Sequence, residues 1–247
     1  EATNFKAQIA KLCKKHARKS SFNYSELRQD KIELLINIFG EEADKLIKDT
    51  ALNKWIKAHE WIVPYAVFMQ KKHENHQASW KSWADNSAGA KELIQSEWKK
   101  TSKKKNHYFW AWVQMRLDEQ FAQAAEEVRK AGLILKGDIP IMMNEDSVDV
   151  WSCPEYFNMS LRAGAPADGF NPLGQNWGFP IYNWENLKAD GYSWWKKRLA
   201  SAAAYYDAYR IDHVLGFFRI WAVPEGERTA ALGYTQPLVC ITTKELA

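Results

Sequence analysis

The sequence predicts an α/β fold, part of a (β/α)8 TIM barrel with a large helical insertion or subdomain in its N-terminal half. Three observations predict it. Apolar residues recur at helical spacing through most of the first 131 residues. Two short, apolar, β-prone segments follow, 133–143 (LILKGDIPIMM) and 209–215 (YRIDHVL), and the first runs into the polar cluster Asn144, Glu145, Asp146, Ser147. A helical segment, 194–206, stands directly before the second. Helix followed by strand, with polar residues where the strand ends, is the rhythm of an α/β barrel.

In chain order, residues 30–39 (DKIELLINIF) carry helical periodicity, and 41–61 continue it with Leu46, Ile47, Leu52, Trp55 and Ile56. Pro64 is expected to break the pattern, which resumes over 65–72. Helices are predicted over 92–99 and over 107–131, the latter with Phe109, Trp112, Val113, Leu117, Phe121 and Val128 on one stripe. Gly132 stands where a glycine ends a helix. Residues 151–184 read mostly as loop, and 164–178 are so dense in Gly and Pro that no regular element is expected there. The resulting division is a mainly helical subdomain over 1–131 and a central piece of the barrel over 132–247. Only two barrel strands are visible, where a closed barrel of this kind needs eight.

Composition bounds the function. The chain has 247 residues, 46% hydrophobic and 26% charged, an ordinary globular composition. Its net charge is +4, with much of the basicity in Lys99, Lys100, Lys103, Lys104 and Lys105. A run of this kind is a solvated loop or helix end, and nothing around it offers partners for bases or grooves, so no nucleic acid is expected as partner. Cys13, Cys153 and Cys240 are far apart with no paired spacing, which argues against disulfides or a zinc site and fits a reducing, cytoplasmic compartment. The first 19 residues are basic and amphipathic without a signal peptide's apolar core, and no apolar run is long enough to span a bilayer, so no membrane is expected. His73 and His76 lack a third ligand type nearby, and no metal is expected. The 13 tryptophans are in excess. Core packing accounts for most tryptophans, but indole planes also stack on sugar faces.

Two strand segments and one loop carry candidate chemistry. On a strand, Arg210 and Asp212 point to the same side. An arginine beside a carboxylate favours the charged, nucleophilic form, and His213 is placed to bond a substrate hydroxyl. On spacing alone such a pair is more often a structural salt bridge. Asp138 lies inside an apolar strand, where a carboxylate is costly unless paired. Arg210 is its candidate partner, in a buried ion pair bracing the barrel. In the loop over 164–178, Asp168, Gln175 and Asn176 offer polar groups for sugar hydroxyls and Trp177 a stacking plane.

KGDIPI (136–141), DSVDVW (146–151), the run GAPADGFNPLGQNWGFPIYNWE (164–185) and RIDHVLGFFRIWAVP (210–224), in this order, resemble the amylomaltase family of 4-alpha-glucanotransferases, glycoside hydrolase family 77. The likeness is strongest to its plant cytosolic disproportionating-enzyme branch. It is dense from Lys136 to Pro224 and weaker through WIVPYA at 61–66. The resemblance implies a cofactor-free, retaining transfer of glucosyl or maltooligosaccharide units between α-1,4-glucans such as maltose, maltooligosaccharides, glycogen or starch. It implies Asp212 as nucleophile, Arg210 and His213 beside it, Asp138 at the substrate site, and a loop with Asp168, Phe170, Gln175, Asn176 and Trp177 folding over the glucan. Many family members carry Tyr-Phe after the loop aspartate, whereas this chain has Gly169-Phe170, one aromatic platform fewer. The family's acid/base follows on a later strand in a motif like EDLG, which has no match before Ala247; Glu225 and Glu227 do not fit it. The expectation is therefore an internal piece of a larger enzyme, inactive alone, with a non-catalytic glucan-binding fragment and a helical interaction module as the other readings.

Overall fold

The computed structural model describes residues 5–17, 21, 23–84 and 88–237, which form two compact units. Cys240 and the terminal residues 241–247 lie outside the described residues. The first takes residues 1–70 and 96–116, the second 71–95 and 117–247.

The first unit is helical. It contains α1 (Lys6–His16), α2 (Tyr24–Leu46), α3 (Thr50–Ala58), and the parts of α4 (Ile62–Glu74), α5 (Lys91–Lys99) and α6 (Lys104–Lys130) that fall within its bounds. Phe39, Ala43, Ala66, Phe109 and Trp110 form its core. The helix expected over 41–61 is two helices, because Asp49 caps α3 by accepting from the Leu52 N–H at 2.7 Å. Pro64 does not break a helix. It lies in the first turn of α4, where the N–H it lacks would have no intrahelical partner.

In the second unit α6 ends as the sequence predicts. Gly132 adopts φ +74°, its N–H donates to the Arg129 carbonyl, and Leu133 N–H donates to the Val128 carbonyl, the two bonds of a Schellman cap. The unit's other elements are β1 (Lys136–Ile139), α7 (Val148–Ser152), β2 (Phe157–Ala165), β3 (Gln175–Tyr182), α8 (Trp184–Ala189), α9 (Ser193–Ala203), β4 (Ala208–Ile211), β5 (Ile220–Pro224) and β6 (Tyr234–Gln236). β1 and β4 pair in parallel, Asp138 opposite Arg210, across a connection that includes α8 and α9. Both strands are shorter than their apolar segments: β1 stops before Pro140, which has no N–H to donate, and β4 stops before His213 turns left-handed.

The loop expected over 151–184 is instead a β-hairpin within a four-stranded antiparallel sheet, ordered β3-β2-β5-β6. Gln175, Asn176 and Trp177 are strand residues, and the connecting loop is only 166–174. The Gly and Pro residues that suggest loop have positional reasons. A Cβ on Gly164 would run into the Gln175 carbonyl of the facing strand. Pro180 lies on the edge strand, where the β2–β3 ladder is already irregular.

The N-terminal ends of β1 and β4 are pinned by Asp207. Its carboxylate accepts from Arg129 Nε at 2.8 Å and from the Leu135 N–H at 3.0 Å, while its own N–H donates to the Leu135 carbonyl at 2.9 Å. The Arg129 guanidinium, followed by the Leu135 amide, lowers the Asp207 pKa below the usual carboxylate value. Five of the 13 tryptophans, Trp80, Trp83, Trp110, Trp151 and Trp195, are buried as bulk indole usually is.

Candidate active site

Period two gives the β1–β4 pair one polar and one apolar face. Asp138, Arg210 and Asp212 share the polar one. Arg210 Nη1 donates to Asp138 Oδ2, and Nη2 donates to Asp212 Oδ1 at 2.9 Å, so one guanidinium bridges both carboxylates. The Asp212 N–H donates to the Ile139 carbonyl at 3.3 Å and continues the ladder one residue past β4. These side chains stand open at the C-terminal ends of the strands, the end where barrel enzymes build their sites. Asp138 is not the buried brace expected from its apolar flanks. Its side chain is 54% exposed, beside Arg210 at 57% and Asp212 at 59%. The apolar flanks belong to the other face, where Ile139 and Ile211 join Trp184, Tyr192, Trp195, Leu199 and Phe217 around an apolar cavity of about 400 Å³.

His213 follows with φ +52°, a left-handed conformation that a non-glycine residue seldom takes. Its ring meets Trp177 edge to face, centroids 4.9 Å apart at 89°. Trp177 Nε1 in turn donates to Gln175 Oε1 at 3.0 Å. Asn176 is tied on both sides of its amide: Nδ2 donates to the Glu227 carbonyl at 2.6 Å, and Oδ1 accepts from the Gly178 N–H at 2.9 Å. Two groups are thus assembled, Asp138–Arg210–Asp212 and Gln175–Trp177–His213, joined by the peptide bond between Asp212 and His213. Asp168 and Phe170 sit apart from both in sequence, on loop 166–174. Asp168 Oδ1 closes that loop by accepting from the Phe170 and Asn171 N–H groups at 2.8 and 2.7 Å, and Phe170 is fully exposed at its tip.

The polar residues after β1 have partners the sequence did not announce. Arg162, on β2 and 6% exposed, donates through Nη2 to Glu145 and to Glu225, each at 2.8 Å, and through Nη1 to the Met159 carbonyl at 2.6 Å. Lys81 pairs with Glu145 and, at 3.4 Å, with Glu225, and the Glu145 hydrogen bond raises the Lys81 pKa. Asp146 accepts from Lys72 Nζ and from the Trp80 N–H. Glu225 is therefore part of a structural charge network. The links of Arg162 to Glu145 and to Glu225, 17 and 63 residues away, leave no short-range signal in sequence. Among the described residues no group of three or more His, Cys, Asp or Glu side chains is arranged to hold a metal ion, and no helix is long and apolar enough to cross a membrane.

Over residues 2–239 the sequence matches the model of a family described as 4-alpha-glucanotransferase. The chain belongs to the 4-alpha-glucanotransferase family. Among its relatives in that family, the 4-alpha-glucanotransferase DPE2 of Oryza sativa subsp. japonica is 37% identical over 238 residues, 94% of this chain and 25% of that protein. The 4-alpha-glucanotransferase of Clostridium butyricum is 31% identical over 223 residues, 87% of this chain and 45% of that protein. The fold is similar to that of an amylomaltase from Streptococcus agalactiae solved in complex with acarbose, with TM-score 0.77 and 26% identity, covering 93% of this chain and 49% of that one. An amylomaltase from Corynebacterium glutamicum, 22% identical with TM-score 0.66, shares the fold over 85% of this chain and 28% of its own. The chain thus spans between about a quarter and a half of these relatives' length.

Proposed function

We propose that this chain supplies the nucleophile strand of a retaining 4-alpha-glucanotransferase. One observation carries the reading: the family's RIDH segment ends a parallel strand with Asp212 exposed and held by Arg210. In this reading β1 and β4 are two strands of a (β/α)8 barrel, and residues 1–131 are a helical subdomain inserted in it. Asp212 attacks the anomeric carbon of an α-1,4-glucan, the glycosidic C1–O bond breaks, and the leaving sugar oxygen takes a proton from a general acid. A covalent glycosyl ester on Asp212 results. A sugar hydroxyl of an acceptor glucan then displaces the carboxylate, giving its proton to the conjugate base of that general acid, so that configuration is retained after two inversions. Arg210 fixes the direction of the Asp212 oxygens and balances their charge. His213 offers a ring nitrogen to a donor hydroxyl, Trp177 an aromatic plane, and Asp168, Phe170, Gln175 and Asn176 the walls of the glucan site. Maltose, maltooligosaccharides, glycogen or starch are the substrates, and free Cys13 and Cys153 thiols support a reducing, cytoplasmic setting.

The reading is tested with α-maltosyl fluoride, whose fluoride leaves without a proton and so demands the nucleophile but little acid catalysis. The chain should release fluoride in the presence of a maltose acceptor, and Asp212→Ala should abolish release. Acarbose, the molecule bound in the streptococcal amylomaltase, should compete. Equal release by the parent and by Asp212→Ala would overturn the proposal.

A further inference from the structure

We propose that Trp177 and Gly216 are positioning residues for His213, together forming the seat that orients its imidazole beside Asp212. The ring belongs to a residue whose backbone is already fixed in the left-handed region, where a non-glycine residue persists only when its surroundings over-determine it. The 3-10 turn Val214–Phe217 that follows is closed by the Gly216 N–H donating to the His213 carbonyl at 2.9 Å. This brings the buried Gly216 under the ring. A Cβ there would lie 3.1 Å from His213 Cδ2, 3.1 Å from Ile141 Cδ1 and 3.3 Å from Met142 Cε. A methyl group at this position therefore displaces either the imidazole or the residues that follow β1. The second wall is the Trp177 indole at 89° to the ring. Trp177 is itself immobilised twice, by its hydrogen bond to Gln175 and by packing on the cluster of Leu161, Ala163, Ile181, Ile220 and Ala222. Side-chain rotation at His213 is thus restricted from two independent elements, the β2–β3 hairpin and the turn after β4. A group held in one orientation before substrate arrives avoids that ordering cost in the transition state.

The catalytic meaning of this seat rests on the proposed glycosyl transfer, but its geometry does not, and the test separates them. In the 247-residue chain labelled with 13C-histidine, the His213 ring signals are assigned among the six histidines by His213→Asn. Trp177→Ala should move them by removing the indole ring current, Trp177→Phe should move them much less, and Gly216→Ala should shift them while other histidines stay in place. In the maltosyl fluoride assay, Trp177→Ala should lower turnover about tenfold to a hundredfold, the scale of an ångström-size misplacement, and Gly216→Ala should lower it by less, because its 3.1 Å contacts are relieved by a smaller shift. If Gly216→Ala unfolds the unit and collapses several signals together, the comparison of Trp177→Phe with Trp177→Ala decides. His213 signals unmoved by Trp177→Ala would overturn the seat. Signals that move as expected in a chain that never turns over the donor would leave the seat standing and remove the enzymatic reading.

Discussion

Replacing Arg162 with Met removes the centre of the charge network while keeping most of the apolar stem. The loss can be worked from its bonds. Two backbone carbonyls, Met159 and Leu161, lose a guanidinium donor, at 2.6 and 3.1 Å, and a buried acceptor left without a partner costs about 1–3 kcal/mol. Glu145 and Glu225 lose their 2.8 Å partners. Glu225 is half exposed and rehydrates, so little is charged to it, whereas Glu145 is mostly buried and keeps only Lys81. The sum is about 3 kcal/mol, which for a chain of this size corresponds to a melting temperature lower by roughly 6–12 °C. Urea titration followed by near-ultraviolet circular dichroism reads it. Adding Glu145→Gln to Arg162→Met should restore part of the loss, because the double variant no longer buries an uncompensated carboxylate. Arg162→Met within about 0.5 kcal/mol of the parent, the scatter of ordinary surface substitutions, would show that the network contributes no stability. A double variant weaker than the single one by the full cost of Glu145→Gln alone would show that the two residues are not coupled.

Three further outcomes are expected. Gly132→Ala should cost about 1 kcal/mol in urea titration, the penalty for a side chain in the left-handed region. Its site is open, with nothing for a Cβ to meet, so a much larger loss would show that the cap geometry is wrong. Because folding lowers the Asp207 pKa, the stability it adds is present above the unfolded value of about 3.9 and disappears as pH falls through the lowered folded value. Asp207→Asn should therefore flatten the acid limb of a stability–pH curve, and an unchanged limb would contradict the pairing with Arg129 and Leu135. Asp168→Ala removes the acceptor that closes loop 166–174, so backbone amide exchange at Phe170 and Asn171 should speed up, and unchanged exchange there would contradict the turn.

What could be read from sequence and what could not divide along physical lines. The alternation that puts Arg210 and Asp212 on one side is a property of any strand, and pairing β1 with β4 in parallel needs only the apolar runs and the helix between them. The hairpin was illegible because Gly164 and Pro180 are statistically loop residues. Their place in strands follows from a facing carbonyl and an edge position, which exist only after pairing. Asp138 misled because flanking apolar residues report the burial of their own face, not of hers across the strand. The links among Arg162, Glu145 and Glu225 join strand, loop and strand end over separations of 17 and 63 residues, with no periodicity to betray them. His213's left-handed backbone was equally silent, since the enrichment of histidine there is too small to single out one position. The capping role of Gly132 follows a local rule that a single sequence displays, whereas the cap at Asp49, equally local, is hidden by apolar periodicity that runs on across 41–61.

In the proposed transfer Asp212 itself bonds to sugar. Incubating the chain with 5-fluoro-α-D-glucosyl fluoride, whose electron-withdrawing ring fluorine slows both displacements while the good leaving group speeds only the first, should accumulate the glycosyl ester. Intact mass spectrometry should show one added fluoroglucosyl unit, and peptide mapping should place it on Asp212. A stable adduct on Asp138, Glu225 or any other carboxylate, or no adduct in a chain that binds acarbose, would contradict the account.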